Sequence, residues 1–214
     1  MALILALDTT SAVGSLALLR DGVTMALRAM EAPDGFGHVL FGEVERLLKE
    51  SGVGLTAVDC FAAASGPGSF TGVRIGLTAA KGFAETLSRP AVAVSTLRAL
   101  ASYGSGPCRA AVIDARRDEV YAGLFGAALE PLQPEWVGPL DRWLIQVPAP
   151  AEFVVREGER FPALTTATVA PLAIADAVGR LAWREYAAGH AGNALALDAN
   201  YVRRSDAELN WKEV

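Results

Sequence analysis

The sequence predicts an α/β protein built of two related halves, and three observations carry that prediction. Apolar, strand-length runs alternate with helical segments from the first residues onward. Each half opens with a strand that ends in aspartate, Asp8 and Asp114, and Gly104-Ser105-Gly106-Pro107 breaks the chain near its middle. With 214 residues, 52% of them hydrophobic, the chain can bury a sizeable core as one large domain or two small ones.

Leu3 to Asp8 reads as a buried strand and Val13 to Arg20 as a second; Asp21-Gly22 is a tight turn into a third, Val23 to Ala29, completing a β-meander. A helix from about His38 to Ser51 puts Leu40, Val44, Leu47 and Leu48 on one face. Val58 to Ala64 is the next strand, followed by a glycine-rich loop and a helix from about Thr71 to Ser88. A short strand from Ala91 to Val94 and a helix from Thr96 close the first half, residues 1–103. In the second half, residues 104–214, the opening pattern returns with strands from Arg109 to Asp114 and from Glu119 to Phe125. Setting Asp114 on Asp8 brings Leu18 onto Leu124, the mark of an internal duplication. The proline-rich segment from Pro131 to Pro150, with Trp136 and Trp143, departs from the repeat, and a helix from about Pro171 to Ala188 follows. Two α/β halves with meander openings are similar to the actin, sugar-kinase and Hsp70-like (ASKHA) fold.

A net charge of -5 weighs against a chain that binds nucleic acid by itself, because phosphate contact is mainly cationic. The basic doublets Arg116-Arg117 and Arg203-Arg204 read as solvated turn charges. Cys60 and Cys108 stand in no CxxC pair and beside no histidine cluster, so they are expected to be reduced, buried fillers. No basic region precedes the apolar start and no apolar run reaches membrane length, which makes the cytoplasm the expected compartment.

The run Ser65-Gly66-Pro67-Gly68-Ser69-Phe70-Thr71-Gly72-Val73-Arg74-Ile75-Gly76 is the most informative segment. Pro67 between two glycines forces a turn, and Ser69 or Thr71 can cap the helix that follows. The loop invites a phosphate-binding reading, but no register supplies the P-loop lysine, and the third glycine of the dinucleotide fingerprint is missing. Gly72, Gly76 and Gly82 each cost a helix about 1 kcal/mol relative to alanine, so close approach of another backbone is expected. Gly72, Gly76 and Ala80 recur every fourth residue as a flat stripe, which faces either a partner helix or the sheet of its own domain.

These residues, together with Leu5-Ala6-Leu7-Asp8-Thr9-Thr10, Val94-Ser95-Thr96-Leu97, Asp114-Ala115-Arg116, Glu119-Val120-Tyr121 and Tyr201-Val202-Arg203, make the chain resemble the TsaB (YeaZ) family. No signature falls between about Ala127 and Thr168. The resemblance implies a non-catalytic subunit of tRNA threonylcarbamoyladenosine synthesis that binds a catalytic paralogue, TsaD, through its first domain. A TsaE-like ATPase joins the pair, tRNA is met only through the complex, and the same surface can pair two copies when the partner is missing. ATP and a metal would be used in other subunits, with no cofactor assigned to this chain. The paralogue's HxxxH metal pair has only His38 here, with Phe41 and Gly42 where a second ligand is needed. The expected partner surface comprises His38, Leu40, Phe41 and Val44 of one helix and Gly72, Ile75, Gly76, Ala79 and Ala80 of the next.

Asp8-Thr9-Thr10 lies where ATP-using members of the fold wrap a hairpin around phosphates, and Asp114 can complete a two-carboxylate nucleotide cleft. Against that stand the missing hairpin lysine and the absence of a glycine-rich turn after Asp114. The competing readings are an ATP-dependent small-molecule kinase, a metal-dependent peptidase disfavoured by the missing second histidine, and a structural homodimer. The tail from Asn193, with Tyr201, Arg203 and Trp211, is expected to return to the body of the protein or to touch a partner.

Overall fold

The computed structural model describes residues 1–203. Along them run β1 (Leu3–Asp8), β2 (Val13–Arg20), β3 (Val23–Glu31), α1 (Leu40–Glu50), β4 (Cys60–Ala64), α2 (Phe70–Leu87), β5 (Ala91–Val94), α3 (Thr96–Ala101), β6 (Cys108–Arg116), β7 (Glu119–Gly126), β8 (Trp136–Gly138), α4 (Leu140–Leu144), β9 (Glu152–Val155), β10 (Thr168–Val169) and α5 (Ala175–Ala187). A 3-10 turn, Phe36–His38, leads into α1, so His38 precedes the α-helix instead of starting it.

Two five-stranded mixed sheets result, in the orders β3-β2-β1-β4-β5 and, from the opposite edge, β8-β7-β6-β9-β10. Strand for strand the orders match. Each opening hairpin is antiparallel, and the pairings β1-β4 and β4-β5 are parallel like β6-β9 and β9-β10. This is the ASKHA arrangement, and the internal repeat is present in its topology. The register corrects one detail of the sequence alignment. Leu5 pairs with Leu18, whereas its counterpart Ala111 pairs with Gly123, so Gly123 and not Leu124 is the equivalent of Leu18. The second hairpin is one residue shorter, and a slip of one residue exchanges the two faces of a strand.

The central strands are apolar on both faces because both faces are covered. Leu5, Leu7, Leu16, Leu18 and Phe61 meet α1 and α2, which contribute Leu40, Val44, Leu47, Val73 and Leu77. Ile4, Ala17 and Leu19 point the other way, into a core that also holds Ala111, Val154 and Val178 and thereby joins the two sheets. Helices cross the 103/104 point of the chain: α3 packs on β6, β7 and β9, while α5 packs on β1, β2, β4 and β5. The crossing of α5 is tight, since a β-carbon on Gly179 would lie 2.1 Å from Leu19 Cδ1. The outer face of the second sheet is closed by α4, whose Trp143 is fully buried.

The tail returns to the first half as far as it is described. Leu197 is buried against the α1–α2 side of the core, and the Asn200 amide donates to the Ser65 carbonyl at 2.8 Å. Arg204 and Trp211 lie outside the described residues. Cys60 is closed to solvent as expected, whereas Cys108 is half-buried on the first residue of β6. No helix among the described residues is long and apolar enough to cross a membrane.

Candidate functional site

The glycine-rich loop joins β4 to α2, and its conformation follows from what it touches. Ser69 is the N-cap of α2, accepting from the Gly72 amide at 3.3 Å; Thr71 lies exposed inside the first turn. The Ser69 amide donates to the Thr10 carbonyl at 2.8 Å, and Thr9 Oγ1 donates to the Gly72 carbonyl at 2.6 Å. A β-carbon would sit 2.5 Å from Thr10 O at Gly68, 1.9 Å from Thr9 O at Gly72 and 2.6 Å from Thr9 Oγ1 at Gly76. Close backbone approach is therefore the reason for Gly68 and Gly72, and close approach of the Thr9 hydroxyl the reason for Gly76, but the approaching segment is the chain's own β1–β2 turn. Gly66, at φ +99°, lies against the Asn200 carbonyl, and Pro67 is buried beside it.

Of the two expected orientations of the small-residue stripe, the chain's own body is the side it faces here. Gly72, Gly76, Ala79 and Ala80 are buried against Thr9 and the first core, and Leu40 and Val44 belong to the same core. A helix lying on a sheet selects small residues on its inner face for the same reason that helix pairs do. Of the expected surface, His38 and Phe41 are exposed and Ile75 is half-buried. Phe41, 59% exposed, meets Phe83 edge to face at 5.6 Å, and Phe83 in turn stacks on Phe61. Beside this pair runs an apolar groove of about 390 Å³ lined by Leu48, Val53 and Leu55. Gly42 of α1 and Gly82 of α2 are exposed, with nothing within 4 Å of a β-carbon built on either. Neither glycine is explained by a contact among the described residues.

The two repeat aspartates occupy equivalent settings. Asp8 Oδ1 accepts from the Thr10 amide at 2.9 Å and Asp114 Oδ1 from the Arg116 amide at 2.7 Å, both turns of the Asx kind. Their second oxygens each meet an arginine that follows β9: Arg156 Nη2 lies 3.3 Å from Asp8 Oδ2, and Arg160 Nη1 lies 2.8 Å from Asp114 Oδ2. The Asp8–Arg156 pair is closed to solvent, with side-chain exposures of 0% and 2%. Thr10 Oγ1 adds a second donor to Asp8 at 2.6 Å.

An ASKHA fold implies a metal-bound nucleotide between its halves, and the residues do not fit that metal. Asp8 is buried with both oxygens engaged, and no group of three or more His, Cys, Asp or Glu side chains able to hold a metal ion occurs among the described residues. The turn after Asp114 also differs from a glycine-rich phosphate turn. Arg116, Arg117 and Asp118 carry φ values of +64°, +57° and +59°, a left-handed run of side chains that costs energy and holds both arginines at the lip of a cleft between the halves. The cleft has a volume of about 730 Å³, with the N-terminal turn of α2 on one wall and Arg116, Arg117, Arg156, Arg160 and Arg203 on the others. On its α2 side, Arg74 stacks on Phe70 at 3.7 Å and donates from Nε to the Tyr201 hydroxyl at 2.9 Å.

The sequence reading missed Arg156, Arg160 and Phe83. A signal for Arg156 was present: a charged residue ends the apolar strand Phe153-Val154-Val155 much as Asp8 ends β1. Glu135 was missed as well. It is largely buried in the proline-rich segment, where it accepts from Ser95 Oγ, the N-cap of α3, and from Asn200 Nδ2 at 2.6 Å. Burial pushes its carboxyl above the usual range, against the pull of these two hydrogen bonds.

Comparison with known proteins places this geometry among relatives. The family model described as TsaD, tRNA N6-adenosine threonylcarbamoyltransferase, matches residues 35–205. The tRNA threonylcarbamoyladenosine biosynthesis protein TsaB of Escherichia coli is 40% identical over 122 residues, which are 55% of this chain and 52% of the relative. The TsaB protein of Bacillus subtilis is 35% identical over 146 residues, 66% of this chain and 64% of the relative. The chain thus spans between about half and two thirds of the length of these curated relatives. A Pseudomonas aeruginosa crystal structure, described as an uncharacterized protein with similarity to peptidase YeaZ, superimposes with a TM-score of 0.81 at 34% identity, covering 95% of this chain and all of that one.

Proposed function

We propose, from the premise that this chain belongs to the TsaB (YeaZ) branch of the TsaD family, that it is a non-catalytic subunit of tRNA threonylcarbamoyladenosine synthesis. It acts by docking a TsaD-like catalytic paralogue, which modifies the adenosine beside the anticodon of ANN-decoding tRNAs. A TsaE-like ATPase joins the pair, and ATP and a metal are used in those other subunits. tRNA is met through the complex, and the same face pairs two copies of this chain when the paralogue is absent.

The observation that carries the reading is the outer face of α1 and α2. An exposed Phe41, its Phe83 neighbour and two helix glycines open to solvent lie on that face. Gly42 and Gly82 each cost about 1 kcal/mol relative to alanine in an exposed helix, and an approaching partner helix is what would make that cost useful. The sealed Asp8–Arg156 pair supports the inactive reading against a small-molecule kinase, because a kinase needs that carboxylate free.

The test is threonine incorporation into unmodified tRNA by TsaC, TsaD and TsaE with and without this chain. Incorporation that depends on the chain, from a protein inert by itself, is the expected result. Incorporation indifferent to the chain, with TsaD folded, overturns the reading. A Phe41→Asp variant should fold normally and lose TsaD in a pull-down; retention at unchanged affinity would move the interface elsewhere.

A further inference from the structure

The last described residues tie the two sheets together at the mouth of the cleft. Just before them the chain is anchored on the first sheet alone: the Ala91 amide donates to the Gly192 carbonyl at 2.8 Å, and Ala194 and Leu197 are buried in the α1–α2 core. From Asn200 to Arg203 the contacts alternate between the two bodies. The Asn200 amide donates to the Ser65 carbonyl at 2.8 Å, while its side-chain Nδ2 donates to Glu135 at 2.6 Å. Tyr201 returns to α2, where its hydroxyl accepts from Arg74 Nε at 2.9 Å and its ring lies 5.6 Å from that of Phe70. Arg203 crosses to the β6–β7 turn, donating to the Ala115 carbonyl at 3.0 Å, pairing with Glu119 and lying over the Tyr121 ring. The segment thus engages each body twice. Four residues span at most about 14 Å when fully extended, so there is little slack between its ends.

We infer that residues 200–203 are a strap that fixes the width of the cleft, and that undoing either end lets the second sheet swing about the core the two sheets share. That shared core, with Ile4, Ala17 and Leu19 against Ala111, Val154 and Val178, is apolar, and apolar packing is non-directional and tolerates small sliding and hinge motions. Directional bonds lie on the cleft side. There the Asp8–Arg156 contact, at 3.3 Å, is longer than the usual charge-assisted hydrogen bond, whereas the strap's bonds to Glu135 and the Ala115 carbonyl are 2.6 and 3.0 Å. Arg203 itself lines the cleft, which places the strap where it limits opening. Phe70 and Tyr201 are 46% and 48% exposed, so the α2 end can be released without opening either core.

The experiment measures the cleft directly, by double electron–electron resonance between nitroxides on Asp34→Cys and Glu159→Cys of the full chain, in a Cys108→Ser background. Both positions are exposed, and their neighbours line opposite walls of the cleft. The chain with an intact strap is expected to give one narrow distance distribution, with any longer component below about 10%. Asn200→Ala/Arg203→Ala, which cuts the strap from the second sheet, should raise the ratio of longer to shorter distances at least about tenfold. Tyr201→Ala should move it the same way by freeing the α2 end. Circular dichroism should stay unchanged in each, since Leu197 keeps the tail on the first core. The inference is overturned by a double variant whose distribution matches the intact strap's, by a distribution already broad with the strap intact, or by Tyr201→Ala leaving the distance alone. Loss of circular dichroism in the double variant overturns it as well, because the strap would then hold the fold and not the cleft. No other subunit enters the measurement, so it stands apart from the incorporation test.

Discussion

Arg156 donates from Nη2 to Asp8 Oδ2 across 3.3 Å, joining residues 148 positions apart with neither side chain open to solvent. A buried pair of this kind adds little compared with an apolar replacement of both partners, but removal of one leaves a charge stranded in the interior. Arg156→Met is therefore expected to destabilise the protein by about 3–5 kcal/mol in urea unfolding. The Asp8→Ala/Arg156→Met double variant should recover part of that loss, and the difference measures the coupling. Additive losses in the two single variants would mean that the contact does not hold the halves together.

The helix glycines of α2 separate into two kinds. Gly72 faces the Thr9 carbonyl, with 1.9 Å left for a β-carbon, so Gly72→Ala must move backbone and is expected to cost about 1–3 kcal/mol. Gly82→Ala meets nothing within 4 Å and should stabilise the isolated chain by up to about 1 kcal/mol. Thermal melts of the two variants should shift in opposite directions. If Gly82 serves a partner helix, the same alanine that raises the melting temperature should weaken TsaD binding.

The contrast between these glycines also shows where sequence reasoning reaches and where it stops. The periodicity of α1 and α2 and the continuous apolar runs of β1 and β2 place those elements to within a residue or two, because each run is long enough to be told from a turn. The cost of glycine in a helix correctly demands a neighbouring backbone but does not say whose, and Thr9 lies 63 residues away from Gly72. The segment from Ala127 to Thr168 yields no motif, yet it holds Glu135, Trp143, Arg156 and Arg160. Its strands and helix are two to five residues long, too short for a periodic signal, and their side chains act through contacts with remote residues. The paired settings of Asp8 and Asp114 were half legible: the aspartates mark the repeat, while their arginine partners lie in the silent stretch.

Glu135 makes stability depend on pH. Its folded-state pKa lies above the unfolded value of an ordinary glutamate, so the folded protein binds the proton more readily than the unfolded chain. Stability contributed at this site is therefore lowest above the folded pKa, rises as pH falls through it, and levels off below the unfolded value near 4.5. Glu135→Gln keeps the size and an acceptor for Asn200 but removes the titration. Its melting temperature should equal or exceed the parent's at pH 8, with the parent gaining on it toward pH 5. A constant difference across that range would show that burial does not penalise the carboxylate.

Helix α5 begins without a cap of its own, because Ile174 has no side-chain acceptor and the first turn is buried. Ser15 of β2 supplies the acceptor: its Oγ takes the Ala175 amide proton at 3.0 Å, from a residue with no solvent exposure. The strand thus caps a helix from the other half, and it does so where Gly179 lets α5 close onto Leu19 of the same strand. Ser15→Ala leaves that amide buried without a partner, a loss of about 1–2 kcal/mol. Gly179→Ala should compound it, since both act on one contact, and the double variant is expected to depart from additivity. Urea unfolding with an unchanged m-value checks the single loss, and Ser15→Ala at parental stability would mean that water replaces the hydroxyl.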